Sequence, residues 1–350
     1  MKQPLFSIVI PTYNRANLLR RAIKSFLVQD FKDFEILISD NNSTDNTKKI
    51  VESFKDKRVI YSKNNENIGC IPNFKRLILM ARGRYIITHG DDDVLLFSDG
   101  LRKIYNLLEE KNYGFIRLNY LSQNRGNTEI TNIWINEPND TYITNEVEPI
   151  SVIKFLERLH IDFLSGLVFK NENITPDDFI GSDISPWIKI LFRLSRKYGA
   201  AFMSNNYIIS SWSEGDISKI YIIDKDNKLY FENYYDCITK GLLDKNEAVK
   251  YRKLFFEQFR NGYIYFFPAL KYFTNNKNLK AYKDRLCFLN KSFNNDFRFW
   301  FYYFVAFCTP KFVISFLRKH HSFISLDSAG DIRNIKAIDD IRKRYQNLIL

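Results

Sequence analysis

Phe6-Ser-Ile-Val-Ile-Pro11 is a short apolar run closed by proline, and it reads as a buried strand. Outward from it the pattern changes period. From Ala16 to Gln29, Leu18, Leu19, Ala22, Ile23, Phe26 and Leu27 fall at helical spacing, with Arg20, Arg21 and Lys24 between them. Phe34-Glu-Ile-Leu-Ile-Ser-Asp40 is a second strand. Ser43-Thr-Asp-Asn-Thr47 then starts a helix whose apolar stripe is Ile50, Val51 and Phe54. Val59 to Tyr61 is a third strand, Ile71 to Ala81 a helix stopped by Gly83, and Tyr85-Ile-Ile-Thr88 a fourth strand. Strands alternating with helices predict an α/β fold with a mostly parallel sheet covered on both faces.

In such sheets ligands sit beyond the carboxyl ends of the strands. The polar residues of this chain gather there. Pro11-Thr-Tyr-Asn-Arg15 follows the first strand, Asp40 to Asp45 the second, Asn64 to Gly69 the third, and Gly90-Asp-Asp-Asp93 the fourth. Adjacent carboxylates repel one another, and a divalent cation among them lowers that cost. Taken alone, the acidic run is equally a solvated turn or a helix N-cap cluster. Asp40 can accept a hydrogen bond from a base N–H or a ribose hydroxyl, or simply end its strand as an Asx turn. Tyr13 can pack on a base and Arg15 can meet a phosphate.

Taken as an ordered set, these segments resemble the family 2 glycosyltransferases of the GT-A fold. The set is Ser7 to Arg15, Phe34 to Asp40 with Ser43-Thr-Asp45, Asn67-Ile-Gly69, Ala81 to Tyr85, and Gly90 to Asp93. The resemblance covers residues 5 to 100. It implies that Pro11, Tyr13 and Arg15 line the nucleotide base and ribose, that Asp40 holds the base, and that Asn67 closes the pocket. Asp91 to Asp93 then form the D-x-D element. Asp92 and Asp91 lie beside the nucleotide sugar, and Asp93, with Asp91, ligates Mn²⁺ or Mg²⁺. One departure stands out. Where many relatives carry Ala-Arg-Asn, this chain reads Asn73-Phe74-Lys75-Arg76, so the usual arginine is missing or displaced, the sugar and diphosphate contacts stay open, and Lys75 or Arg76 is the candidate substitute.

The family's inverting chemistry needs a base on the acceptor side, past the D-x-D element. Asp183, in Ile180-Gly-Ser-Asp-Ile-Ser-Pro-Trp187, is the candidate, with Asp177, Asp178 and Glu214 as competitors. Trp187 offers a flat face for an acceptor sugar; the alternative is that Asp183 is a helix-entry residue and Trp187 a core residue. The expected organisation is a nucleotide-sugar-binding half over 1–110, an acceptor-binding half over 111–235, and a helical C-terminal extension over 236–350. The expected donor is a nucleoside-diphosphate sugar, UDP by the family's habit, and the acceptor a saccharide or lipid-linked saccharide.

Composition bounds the alternatives. The chain has 350 residues, 45% of them apolar, with 31 Phe and 21 Tyr, enough to bury a sizeable core. The formal net charge of +12 suits a phosphate-bearing substrate, an anionic membrane or nucleic acid. The surplus reads as spread along the chain and no nucleic-acid motif accompanies it, so nucleic acid is not expected. Four scattered cysteines show no C-x-x-C pairing. With no secretory signal pattern at Met1 to Pro4, a cytoplasmic location is expected. Arg298 to Lys319 is apolar and aromatic with basic flanks. Spanning takes ~20 apolar residues, and Pro310 and Lys311 interrupt this run. The segment is therefore read as interfacial, peripheral at the inner face of the cell membrane, or as a buried helix. A nucleotidyltransferase would show a Gly-rich basic loop after the first strand. A dinucleotide oxidoreductase would show G-x-G-x-x-G there, and residues 1–30 contain no glycine. A non-catalytic scaffold that kept the fold is opposed by the intact Asp91-Asp92-Asp93.

Overall fold

Two neighbouring seven-residue strands, β1 (Phe6–Thr12) and β2 (Phe34–Asp40), are buried almost throughout. Strands covered on both faces need continuous apolar runs, and these have them. In the computed structural model they are neighbouring inner strands of a sheet completed by β3 (Val59–Lys63), β4 (Tyr85–Thr88), β5 (Val94–Leu95), β6 (Phe115–Asn124), β7 (Ile130–Ile133), β8 (Thr141–Ile143), β9 (Leu167–Lys170) and β10 (Ala200–Trp212). The structure describes residues 3–124, 130–133, 135, 137–179, 186–212, 235–236, 238–239, 242–273 and 275–320. The chain divides into two compact units, the first built on residues 1–212 and the second on 213–328.

The first unit holds the whole sheet. Its order is β3-β2-β1-β4-β9-β6-β10-β5, with β7 on β6 and β8 on β10. The half from β3 to β4 is parallel, as the alternating pattern predicts. Beyond it the sheet is mixed. β9 runs antiparallel to both β4 and β6, while β6 and β10 are parallel. The expected parallel pairing holds for the first four strands and again for β6 with β10, and antiparallel β9 joins the two parts. An apolar run shows that a strand is buried, not which way it points.

Among the described residues six helices flank the sheet: α1 (Ala16–Leu27), α2 (Thr47–Glu52), α3 (Cys70–Met80), α4 (Gly100–Glu110), α5 (Pro149–Arg158) and α6 (Ile188–Tyr198). α1 buries Leu19, Ala22, Ile23 and Phe26, one stripe at helical spacing. Beneath the sheet a polar staple ties β1, β2 and β4 together. Ser7 Oγ donates to Glu35 Oε1 at 2.7 Å and accepts from the Gly83 N–H at 2.8 Å, while Arg82 pairs with the same buried Glu35.

The second unit is helical: α7 (Lys245–Phe273), α8 (Asn276–Leu289), α9 (Phe297–Cys308) and α10 (Lys311–His320). Its core is aromatic. The Phe267 ring meets those of Tyr282, Phe299 and Tyr303 at centroid distances of 5.4, 5.2 and 5.5 Å. Burying one such side chain contributes roughly 1.5–3 kcal/mol. Asp296 caps α9, accepting from the Arg298 N–H at 2.9 Å, and Pro310 stands between α9 and α10.

Candidate functional site

β1, β2, β3 and β4 all end on one side of the sheet, and their loops bring the polar residues together. At the end of β4 the chain passes through buried His89 to Gly90, where it folds back. A Cβ on Gly90 would lie 2.8 Å from Asp93 Oδ2 and 3.1 Å from Asp92 Oδ1, so only glycine leaves room for this packing of carboxylates.

The three carboxylates divide into two groups. Asp91 Oδ2 accepts from Thr12 Oγ1 at 2.7 Å and its Oδ1 from Arg15 Nη1 at 3.1 Å. The same guanidinium nitrogen lies 3.0 Å from Asp92 Oδ2. Burial, and then the neighbouring Asp92 charge, push the Asp91 pKa up to about 6, although Arg15 and Thr12 pull it down. Asp93 is buried on the other side, where Ser165 Oγ donates to its Oδ2. The Gly90 N–H donates to that Ser165 oxygen at 2.7 Å.

Ser165 is held in turn by Arg117, which is fully buried. Arg117 donates from Nε to the Leu159 carbonyl at 2.9 Å and from Nη1 to the Ser165 carbonyl, and its guanidinium lies over the Tyr120 ring at 4.8 Å. Burial lowers the Arg117 pKa, and the nearby carboxylates Asp162 and Asp93 oppose that shift. Gly166 allows the approach. Its φ of +81° suits glycine, and a Cβ there would meet Ile208 Cδ1 at 2.7 Å.

The second and third loops are internally bonded. Asp40 is buried at the end of β2, where Oδ1 accepts from the Ser43 N–H at 2.7 Å and Oδ2 from the Tyr61 hydroxyl. Desolvation, then that bond to Asp40, raise the Tyr61 pKa. Asn67 Oδ1 accepts from Asn41 Nδ2 at 2.6 Å and from the Gly69 N–H at 3.0 Å. Asp45 joins two helix starts, accepting from the N–H groups of Ala16 and Thr47, each at 3.0 Å. Pro11 is half-buried, and Tyr13 is exposed beside it.

The structure therefore brings Arg15, Asp91 and Asp92 into one ionic group, with Asp93 behind them. Asp40 and Asn67 line adjoining loops. Arg76 donates to Asn64 Oδ1 and Lys75 Nζ to the Phe179 carbonyl at 3.3 Å, so both positions of the departing segment bond outside the acidic group. Thr12, Ser165 and Arg117 are partners that the sequence reading missed. Thr12 lies inside the Pro11 to Arg15 motif, but no motif marks Ser165 or Arg117, because β9 sets Ser165 beside the end of β4, 75 residues away. Trp187 is a correction. It is only 4% exposed, its Nε1–H bonds the Ile161 carbonyl, and the Phe74 ring packs edge-on at 5.1 Å. A buried indole with its N–H satisfied is a core residue and offers no face to a sugar. Asp183 and Glu214 lie outside the described residues. Asp177 is exposed, and Asp178 accepts from the Thr175 N–H at 2.9 Å and lies 3.6 Å from Arg193.

Among the described residues no three His, Cys, Asp or Glu side chains converge as a complete metal cage. The acidic group nevertheless offers the carboxylate oxygens that hard cations take, with Arg15 paired to Asp91 and Asp92. Mg²⁺ is usually held through one or two carboxylates plus substrate phosphates.

Comparison with known proteins shows similarity in sequence and in fold. Residues 7–162 match the model of glycosyl transferase family 2. The GalNAc(5)-diNAcBac-PP-undecaprenol beta-1,3-glucosyltransferase of Campylobacter jejuni is 37% identical over 129 residues, which cover 35% of this chain and 40% of that protein. The UDP-Glc:alpha-D-GlcNAc-diphosphoundecaprenol beta-1,3-glucosyltransferase WfaP of Escherichia coli is 35% identical over 107 residues, covering 31% of this chain and 43% of that one. The chain thus spans less than half the length of these two relatives. Residues 1–349 of S. aureus TarS, solved with UDP-GlcNAc, superpose with a TM-score of 0.56 at 16% identity, covering 90% of this chain and 91% of that one. The GT-A-type fold is shared.

Proposed function

Since residues 7–162 match the model of glycosyl transferase family 2, we propose that this protein acts as a member of that family and moves a sugar from a nucleoside diphosphate to a lipid-linked saccharide, with inversion. The acidic group Asp91-Asp92-Asp93, bonded to Thr12 and Arg15 of the first loop and to Ser165, is the observation that carries this reading. Both relatives described above carry an undecaprenol-linked acceptor in their names, and one carries UDP-glucose, which favours a UDP-sugar and a polyprenyl-linked acceptor.

The roles follow from position. Tyr13 and Asp40 take the base, Pro11 and Asn67 bound the pocket, and Arg15 with Asp91 and Asp92 faces the ribose and diphosphate. Asp93 and Asp91 would hold Mn²⁺ or Mg²⁺. When bound, the cation stabilises the departing diphosphate as a Lewis acid. Ser165, hydrogen-bonded to Asp93 and held through Arg117, keeps that carboxylate oriented. Asp183 is the proposed base. It takes the proton of the acceptor hydroxyl while that oxygen bonds the anomeric carbon, and the bond to the diphosphate oxygen breaks with its electron pair leaving on the nucleotide. Lys75 and Arg76 are directed to other partners, so Arg15 is the basic side chain best placed for the diphosphate. Work on a lipid-linked acceptor belongs at the inner face of the cell membrane.

Calorimetric titration of UDP, GDP, CDP and dTDP with and without Mn²⁺, on wild type and Asp93→Ala, tests the donor site. One nucleotide should bind only with metal, and the variant should lose that binding. Failure of all four to bind wild type would leave a fold without donor chemistry. For the base, Asp183→Asn should abolish transfer and retain nucleotide binding, and near-normal turnover would remove Asp183 from the mechanism.

A further inference from the structure

We propose that the exposed aromatic face of α9 and α10 docks this protein on an anionic phospholipid bilayer, with α9 lying in the plane of the leaflet. The inference stands on the helical unit alone, independent of the donor site. α9 is apolar on both sides. Phe299, Tyr303 and Ala306 are buried and already supply its packing. Its opposite side carries Phe297, Phe301, Phe304 and Val305, and α10 adds Phe312 and Phe316; these six are 42% to 79% exposed. The Phe297 and Phe301 rings stack at 6.2 Å, so the first two form one continuous surface. A folded chain in water seldom presents such a patch without a partner.

The charge identifies the partner. Counted by segment, the basic surplus is not spread along the chain, contrary to the sequence reading. Residues 245–320 hold 15 Lys and Arg against 4 Asp and Glu, a net +11 of the total +12, whereas residues 1–212 hold 28 against 25. Lys311 and Arg298 flank the aromatic face itself. Phenylalanines bounded by lysine and arginine match an acyl layer under anionic headgroups. A second copy would bring two +11 segments together and pay Coulomb repulsion. A nucleic acid would neutralise the charge and leave the rings in water. Among the described residues no helix is long and apolar enough to cross a membrane, so the contact is in-plane.

Flotation of the full-length protein with phosphatidylcholine vesicles, with and without about 30% phosphatidylglycerol, reads the contact directly. The protein should float with the anionic vesicles, and the partition coefficient should fall roughly tenfold when phosphatidylglycerol is omitted. Phe301→Ser/Phe304→Ser, whose side chains lie outside the core, should lower it roughly tenfold more while the thermal melt is unchanged. Trp300 emission should shift to the blue on vesicles of the first kind. Equal flotation of variant and wild type overturns the proposal, as does failure of wild type to float. A wild-type dimer that the variant dissolves would assign the face to a second copy. Duplex DNA binding that survives the variant, without flotation, would assign the charge to nucleic acid. No nucleotide sugar enters these measurements, so their failure leaves the transferase reading standing.

Discussion

Ser165 shows how a single hydroxyl can govern an acidic group. It donates to Asp93, accepts from the Gly90 N–H, and offers its carbonyl to buried Arg117. Removing the oxygen leaves Asp93 without that donor and loosens the turn that folds the carboxylates back. Ser165→Ala is expected to weaken Mn²⁺-dependent nucleotide binding about 10- to 100-fold, with Ser165→Thr restoring part of it, as calorimetry on both variants would show. Asp40, Asp91 and Asp93 were legible in the sequence, because a carboxylate just past an apolar strand advertises itself. Ser165 was not, since serine is common and its importance comes from a strand paired 75 residues away. Trp187 was misread for the opposite reason. Its helix, Ile188–Tyr198, buries Ile188, Leu191 and Leu194 at core spacing, and that stripe extends back to the indole.

At the level of elements, the staple of Ser7, Glu35 and Gly83 ties three neighbouring strands through one buried hydroxyl. Ser7 is fully buried and serves two partners, one of them a buried carboxylate. Ser7→Ala should therefore destabilise the first unit by about 1–3 kcal/mol, seen as a lower urea midpoint at unchanged slope. An unaltered midpoint would mean that Arg82 alone satisfies Glu35. The parallel half of the sheet was legible, since strand, helix and loop alternate with clear periods from Phe6 to Thr88. The direction of β9 was not. An antiparallel strand inserted between β4 and β6 has the same apolar run as a parallel one. Helix α9 was legible as apolar, but burial of one face and exposure of the other depend on what α7 covers.

Over the whole molecule, the proposed donor site and the basic aromatic face belong to separate units. The two should therefore fail separately. Asp93→Ala is expected to lose nucleotide and keep vesicle flotation, and Phe301→Ser/Phe304→Ser the reverse. On an acceptor embedded in vesicles the second variant should turn over slowly, while a water-soluble acceptor analogue should be used at the wild-type rate. Parallel loss of both properties in either variant would contradict this independence. The length of α9 has one more consequence. Its 12 residues, bounded by the Asp296 cap and Pro310, extend about 18 Å at 1.5 Å per residue. A body that short spreads the headgroups of one leaflet and leaves the other untouched, which costs least where the outer layer is already stretched. If the docking proposal holds, highly curved vesicles should accordingly capture more protein than flat ones of the same composition and area, so that the protein would sense membrane shape as well as membrane charge.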